Sequence, residues 1–238
     1  MRIALIGYGK MGKEIEKIAI ERGHEVLYKF DVTNKADFTV QNLKNVNVAI
    51  EFTQPNSAYK NYLKCFHANI PVVSGTTGWL ENLPNIKSQC ENNNQTFFYA
   101  SNFSLGVNLF FKLNKSLSQL MNKVAGYNVE ISETHHTEKK DAPSGTAITL
   151  AEDIISNFSK KETWVKENAV NNTELAIRSF REDKVPGLHN IKYESYVDYI
   201  EITHSAKNRK GFALGAILAA ELTQKKSGFL SMDDLLDF

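Results

Sequence analysis

Six residues, Gly7-Tyr8-Gly9-Lys10-Met11-Gly12, constrain the fold of this chain more than any others. They form a G-x-G-x-x-G run between a β-branched stretch, Ile3–Ile6, and a helical pattern, Met11–Arg22. That placement suits a strand, a tight turn and a helix whose N-terminus faces an anion. The glycines allow the turn, the close approach of a pyrophosphate and close helix packing. Asp31 ends the next strand-like stretch nineteen residues after Gly12, near the spacing of about 20 at which an acidic residue reaches an adenosine ribose. The bland alternative is a glycine-rich turn with Asp31 capping a loop, and the strand–turn–helix context favours the dinucleotide. Asp31 favours NADH, because a carboxylate repels a 2′-phosphate. Lys10, Lys29 and Lys35 could offset that repulsion, so NADPH stays open.

Up to residue 102, short β-branched runs alternate with amphipathic stretches. Strands are expected at Ile3–Ile6, Glu25–Phe30, Val46–Phe52, Pro71–Ser74 and Thr96–Ala100. Helices are expected at Met11–Arg22, Ser57–Ala68 and Leu80–Asn92, with a weaker pattern near Ala36–Leu43. Such alternation implies a parallel sheet covered on both faces. Beyond Asn102 the character changes. Leu105–Val124 has apolar residues at helical spacing, Tyr127–Thr134 alternates as a strand, and Ala147–Phe158 is a helix. Ala176–Phe180 and Ile191–His204 read as further strands, the latter long enough to bend or turn. Gly211–Leu222 is a helix that needs a sheet to cover and so returns to the first domain. Glu167–Glu174 reads as a solvated loop.

Composition sets limits on partners. Of 238 residues, 42% are apolar and 23% charged, and 28 basic residues against 27 acidic ones leave a net charge of +1. No global field favours nucleic acid or an anionic membrane. Gly211–Leu222 is too short to span a bilayer. The chain enters a strand from Met1, without room for a signal peptide, which points to the cytoplasm. Cys65 and Cys90 read as reduced thiols in helices.

The densest chemistry lies in Glu133-Thr134-His135-His136-Thr137-Glu138-Lys139-Lys140-Asp141-Ala142-Pro143-Ser144-Gly145-Thr146-Ala147. Strand alternation puts His135 on one face with Val129, Ile131 and Glu133, and His136 on the other. The two histidines therefore do not share a metal, and no other spacing completes a metal site. One of them can serve as general acid, since an imidazole titrates near neutral pH. Lys139 places an ammonium near a substrate carboxylate or keeps the imidazole's surroundings positive. Gly145 and Thr146 open a helix whose amides can receive an anion. Ser144 reads as an ordinary N-cap, and Lys140 as one more exposed lysine.

These residues resemble a known family, the bacterial dihydrodipicolinate (4-hydroxy-tetrahydrodipicolinate) reductases of lysine biosynthesis. The family's E-x-H-H-x-x-K-x-D-A-P-S-G-T-A signature matches Glu133 to Ala147. The resemblance also covers Gly7–Gly12, Glu51-Phe52-Thr53, Gly75-Thr76-Thr77-Gly78, Ala100-Ser101-Asn102-Phe103-Ser104 and Ile202-Thr203-His204. It implies His135 as the acid/base residue and Lys139 as second proton donor or carboxylate anchor. It implies substrate binding by His136, Gly145 and Thr146. Gly75, Thr76 and Thr77, with Ala100, Ser101, Asn102 and Phe103, would line the nicotinamide end of the cleft. Gly7, Gly9, Lys10, Met11, Gly12 and Asp31 would hold the rest of the cofactor. Glu51 stands where the family usually has Asp. In the R-x-G-x-x-x-G-x-H segment Arg178, Gly187 and His189 survive, but Phe180 replaces a Gly and the loop is three residues longer.

The expected architecture is α/β. A Rossmann dinucleotide-binding domain spans about 1–102 and 215–238. An α+β substrate and oligomerisation domain with an open mixed sheet spans 103–214. The resemblance further implies a homotetramer, a dicarboxylate cyclic imine as substrate, and domain closure that excludes water from the hydride path. Two other readings stay open: a reductase of another small amino-acid-like carboxylate, and a catalytically silent dinucleotide sensor.

Overall fold

A computed structural model describes residues 1–237 and divides them into two compact units. One comprises Met1–Leu105 with the chain from Arg209 onward, and the other comprises Gly106–Asn208. In chain order the elements begin β1 (Arg2–Ile6), α1 (Lys10–Glu21), β2 (Glu25–Phe30), α2 (Val40–Leu43), β3 (Val48–Glu51) and α3 (Pro55–His67). Next come β4 (Val72–Ser74), α4 (Leu83–Asn92), β5 (Phe97–Tyr99), α5 (Leu105–Met121), β6 (Asn128–His135) and α6 (Gly145–Asn157). The chain closes with β7 (Thr163–Lys166), β8 (Glu174–Arg181), β9 (Leu188–Glu194), β10 (Tyr199–Ser205), α7 (Lys210–Leu222), β11 (Phe229–Leu230) and α8 (Met232–Leu236).

In the first unit six strands form a sheet in the order β11-β5-β4-β3-β1-β2, every pair parallel. Its apolar runs are nearly continuous because both faces are buried. Ile3, Leu5, Val48 and Ile50 pack with Ile15 and Ile18 of α1 and with Ala213, Ala216 and Ile217 of α7. Ala4, Ile6 and Ala49 point the other way, against Tyr62 and Cys65 of α3 and Ile86 of α4. Strand order reverses beside β1, and ligands of such sheets bind at that switch point, beyond the carboxyl ends of the strands.

The second sheet is mixed, in the order β10-β9-β6-β8-β7. β6 runs parallel to β8 and antiparallel to β9. One face is apolar: Val129, Ile131, Leu175, Ile177, Ile191 and Tyr193 pack against Leu150, Ala151 and Ile154 of α6. Leu150 and Ile154 are fully buried, each contributing about 1.5–3 kcal/mol by leaving water. The opposite face carries Glu130 paired with Arg178 at 3.2 Å, and an exposed Phe180.

Several expectations are corrected. The Leu80–Asn92 stretch splits into a 3₁₀ turn, Leu80–Asn82, and α4, whose first turn holds Pro84; a proline lacks the amide to continue a helix through that point. The Ala36–Leu43 pattern is likewise a 3₁₀ turn at Lys35–Asp37 followed by the single turn of α2. Ile191–His204, expected to be long enough to bend or turn, does turn: it is the hairpin of β9 and β10. β7, β11 and α8 are too short to announce themselves by periodicity. Cys65 and Cys90 are free thiols, and burial raises both thiol pKa values, Cys90 to about 11. Among the described residues no helix is long and apolar enough to cross a membrane.

Candidate active site

The loop after β1 is shaped by what its glycines lack. A Cβ on Gly7, whose φ is +94°, would lie 2.0 Å from the Phe52 carbonyl oxygen, and one on Gly12 would lie 2.4 Å from the Gly7 carbonyl oxygen. Those two glycines are required by the fold itself. Gly9 differs, because no atom lies within 4 Å of its would-be Cβ. It is the N-cap of α1 and makes no side-chain cap, so open space adjoins the amides of the first turn, where Lys10 and Met11 sit. That cradle fits a pyrophosphate. Lys10 is exposed, whereas Lys29 is tied to Glu16 at 3.1 Å, and Glu16 also accepts a hydrogen bond from Tyr8.

Asp31 directly follows β2, its Oδ1 accepting hydrogen bonds from the Thr33 amide at 2.7 Å and the Thr33 hydroxyl at 2.6 Å. Those bonds hold its carboxyl below the usual range. The group is ionised and caps its own loop.

At the carboxyl ends of β3 and β4, the fully buried Glu51 gathers hydroxyls. Ser74 donates to Oε2 at 3.0 Å, Thr76 donates to Oε2 at 2.8 Å, and Thr53 donates to Oε1. The Thr76 hydroxyl also accepts from the Thr53 amide at 2.8 Å. The Gly75–Gly78 turn is thereby stapled to the end of β3. Gly75 is needed for packing, since a Cβ there would meet the Phe52 ring at 2.1 Å. Thr77 and Ser101 are exposed and Asn102 is half-buried, as an edge open to a ligand requires. The Phe103 ring is buried, packed on Phe98 at 5.7 Å and Phe52 at 5.6 Å, so it is a core residue. Ala100 is buried in the same cluster.

In the second unit, β6 alternates as the sequence pattern requires. Val129, Ile131, Glu133 and His135 all face the core that α6 covers, and His136 is half-buried on the other side. Strand register then does what sequence spacing could not. Glu133 lies opposite Ser179 of β8 and His189 of β9, and His189 lies opposite His204 of β10. Glu133 Oε1 accepts hydrogen bonds from the Ser144 amide at 2.9 Å and the Ser179 hydroxyl at 2.8 Å. Its Oε2 lies 3.6 Å from His135 Nδ1 and 3.5 Å from His189 Nε2. Burial opposes ionisation of Glu133, but its contacts with His189, Ser144 and Ser179 outweigh that and lower its pKa to about 2. Burial pushes His135 down to about 4, against the attraction of Glu133 and assisted by His189, Lys139 and Arg181.

Ser144 caps α6 by accepting from the Ala147 amide at 3.2 Å, and its hydroxyl also lies 3.2 Å from His189 Nε2. The ordinary-cap reading of Ser144 is therefore incomplete. Beside it, Gly145 is exposed with no atom within 4 Å of a would-be Cβ, and Thr146 is half-buried. This is an open helix start. Lys139 is not a free ammonium, because its Nζ donates to both oxygens of Asp141 at 2.9 and 2.7 Å. Arg181 clamps the same loop from β8, donating to the Lys139 carbonyl at 3.2 Å and the Asp141 carbonyl at 2.6 Å.

Sequence reasoning missed Glu133, His189 and Arg181 as site residues. The signal for Glu133 was present, since it shares the His135 face at period two. His189 needed the β6–β9 register. Glu133, His135 and His189 offer donor atoms within 4.8 Å of one another, a set that could hold a metal ion, although the sequence reading expected no metal site. One Glu133 oxygen and His189 Nε2 already have partners, which favours a hydrogen-bonding role.

With this geometry in hand, comparison with known proteins is informative. Residues 1–103 match the family model "Dihydrodipicolinate reductase, N-terminus", and residues 106–236 match its C-terminal counterpart. A 4-hydroxy-tetrahydrodipicolinate reductase of Christiangramia forsetii is 48% identical over 238 residues, covering 99% of this chain and 98% of that protein. One from Staphylococcus aureus strain MRSA252 is 34% identical, covering 99% and 100%. A solved structure, dipicolinate-bound dihydrodipicolinate reductase from Paenisporosarcina sp. TG-14, shares the fold with a TM-score of 0.81 at 22% identity, covering 98% of each chain.

Proposed function

This chain belongs to the dihydrodipicolinate reductase family, and from that premise we propose that it reduces 4-hydroxy-tetrahydrodipicolinate, via dihydrodipicolinate, to tetrahydrodipicolinate. It is an oxidoreductase that uses a pyridine nucleotide and serves the diaminopimelate route to lysine. The observation that carries the site assignment is local. One segment, Glu133–Ala147, supplies a buried imidazole on a core face, an anchored ammonium and an open helix start.

A nicotinamide held here would supply the hydride for ring carbon C4 of the dehydrated substrate. Gly9, Lys10 and Met11 would receive the pyrophosphate at the start of α1, with Gly7 and Gly12 shaping the turn. Asp31 would take the ribose and favour NADH. Gly75, Thr76, Thr77, Ala100, Ser101, Asn102 and Phe103 edge the nicotinamide end, Thr76 being fixed by Glu51. His135 moves a proton to C3, completing the reduction. The amides of Gly145 and Thr146 take a ring carboxylate, with His136 and Lys139 beside it. The Glu133, His135 and His189 set is assigned to proton handling rather than to a metal.

The reading extends to assembly and place: a homotetramer joined through the open face of the second sheet, in the cytoplasm, with no nucleic-acid or membrane partner. The test of function is to mix the protein with NADH or NADPH and freshly made dihydrodipicolinate and follow the nicotinamide absorbance. Oxidation that requires both protein and substrate supports the reading. Absence of turnover with either cofactor rejects it.

A further inference from the structure

The row Ser179, Glu133, His189, His204 crosses four strands, β8, β6, β9 and β10, on the face that α6 covers. His135 stands two residues along β6 from Glu133 on the same face. Glu133, His135 and His189 are 0%, 7% and 5% exposed. Among the described residues one carboxylate, Glu133, faces His135 and His189, and its two oxygens are used unequally. Oε1 is saturated by Ser144 and Ser179. Oε2, His135 Nδ1 and His189 Nδ1 have no hydrogen-bond partner.

A buried carboxylate oxygen left without a donor is costly. At 3.5 and 3.6 Å the two imidazoles stand just beyond hydrogen-bond length. Catalytic hydrogen bonds that start at such lengths often shorten in the substrate complex. The two rings are edge-to-face with centroids 5.0 Å apart, so His189 walls the side of His135. The far edge of His135 faces Gly187, where a Cβ would sit 3.2 Å from Nε2 and 3.4 Å from Cδ2. Any other residue at 187 would press on the ring.

We propose that Glu133, His189 and Gly187 are positioning residues for the proton donor: Glu133 Oε2 holds His135 by its Nδ1–H, His189 braces that pair, and Gly187 leaves the Nε2 edge unobstructed. The inference rests on the proposed role of His135 and goes beyond it, since none of the three is assigned to the substrate or the cofactor. The orientation has a chemical consequence. With Nδ1–H directed at a carboxylate, Nε2 is the free nitrogen of the neutral ring: it takes up a proton from solvent, the carboxylate stabilises the imidazolium so formed, and Nε2–H then gives that proton to the substrate and leaves the Nδ1–H imidazole. Charged and titratable groups around the ring are Glu133 on β6, His189 on β9, Arg181 opposite it on β8, Lys139 in the following loop, and His204 beyond His189 on β10.

The test combines kinetics with a direct reading of the ring. Two-bond ¹H–¹⁵N spectra, with His135 assigned by its loss in His135→Asn, should show the parent His135 as the Nδ1–H tautomer at pH 7.5. Glu133→Gln should fold and bind NADH normally, lose that tautomer preference, and lower kcat by about 10²-fold or more, as loss of an orienting carboxylate does. Its kcat should also fall off at lower pH than in the parent, because the imidazolium has lost its counter-charge. Gly187→Ala should lower kcat by about tenfold without changing NADH affinity. If Glu133→Gln does not fold, the parent tautomer and Gly187→Ala decide the matter. A neutral parent His135 whose single proton sits on Nε2 and not on Nδ1, or Glu133→Gln with parental kcat and pH profile, overturns the proposal. If His135→Asn itself keeps full kcat, the acid assignment has failed, which is a different result from an inactive His135→Asn beside an unaffected Glu133→Gln.

Discussion

At the scale of single residues, the site depends on side chains whose partners are already fixed. Lys139 is held by Asp141 and by the Arg181 clamp on its loop, which fixes where its ammonium stands. In the role proposed for it, that ammonium would act on bound substrate and on the transition state alike. Lys139→Ala is therefore expected to raise KM and lower kcat together, with exposed Lys140→Ala as a near-silent control in the same assay. Asp31 is ionised and free of cationic partners among the bonds it makes to Thr33 and Asn34. Asp31→Ala should weaken use of NADH and relieve repulsion of a 2′-phosphate, moving the ratio of the two kcat/KM values toward NADPH. An unchanged ratio at saturating substrate would put Asp31 away from the ribose.

At the scale of elements, close backbone approaches and buried titrating groups set the energetics. Gly215 of α7 packs on the loop after β5 so closely that a Cβ would lie 1.8 Å from the Phe103 carbonyl oxygen. Gly215→Ala must shift the helix or the loop, and a cost of about 1–3 kcal/mol or more is expected, seen as a lowered Tm by calorimetry. β6 makes the second unit sensitive to acid. The folded chain keeps His135 neutral down to about 4, whereas its ordinary value is 6.5. As pH falls, the unfolded chain binds that proton first. The stabilisation is thus whole above about pH 6.5 and is lost as pH falls toward 4, by up to about 3 kcal/mol. Glu133, ordinarily 4.5 and about 2 when folded, adds a loss of the same sign below about pH 4.5. Urea unfolding of His135→Asn should therefore depend less on pH between 6.5 and 4 than the parent does; equal slopes would contradict the buried-neutral assignment.

At the scale of the whole molecule, what was legible in the sequence follows from which forces act locally. The parallel sheet was readable because strands buried on both faces become apolar runs punctuated by helices. The period-two pattern of β6 placed His135 and Glu133 on one face, where they lie. The glycine loop was readable because its steric demands are local. What escaped depends on pairing between distant segments: His189 comes beside Glu133 and His135 only through the register of β9 on β6. The length of Ile191–His204 announced a turn, but its place was not legible because residues 195–198 carry no glycine. Assembly belongs to this scale as well. Phe180 is half exposed on the open face of the second sheet, where the proposed tetramer would cover it. Phe180→Asp is expected to yield smaller species in sedimentation velocity with circular dichroism unchanged, and a parental sedimentation coefficient would remove that face from the interface.

The proton donor is the point on which the chemistry turns, and one measurement reaches it directly: the rate of dihydrodipicolinate-dependent nicotinamide oxidation by His135→Ala, with folding and NADH binding measured on the same sample. A positioned general acid is worth about 10²–10⁴ in rate. The expected result is a kcat lowered by about that factor while the variant folds and binds NADH as the parent does. A folded His135→Ala that binds NADH and turns over at the parental rate would place the proton donor elsewhere and contradict the role given to the Glu133–Ala147 segment.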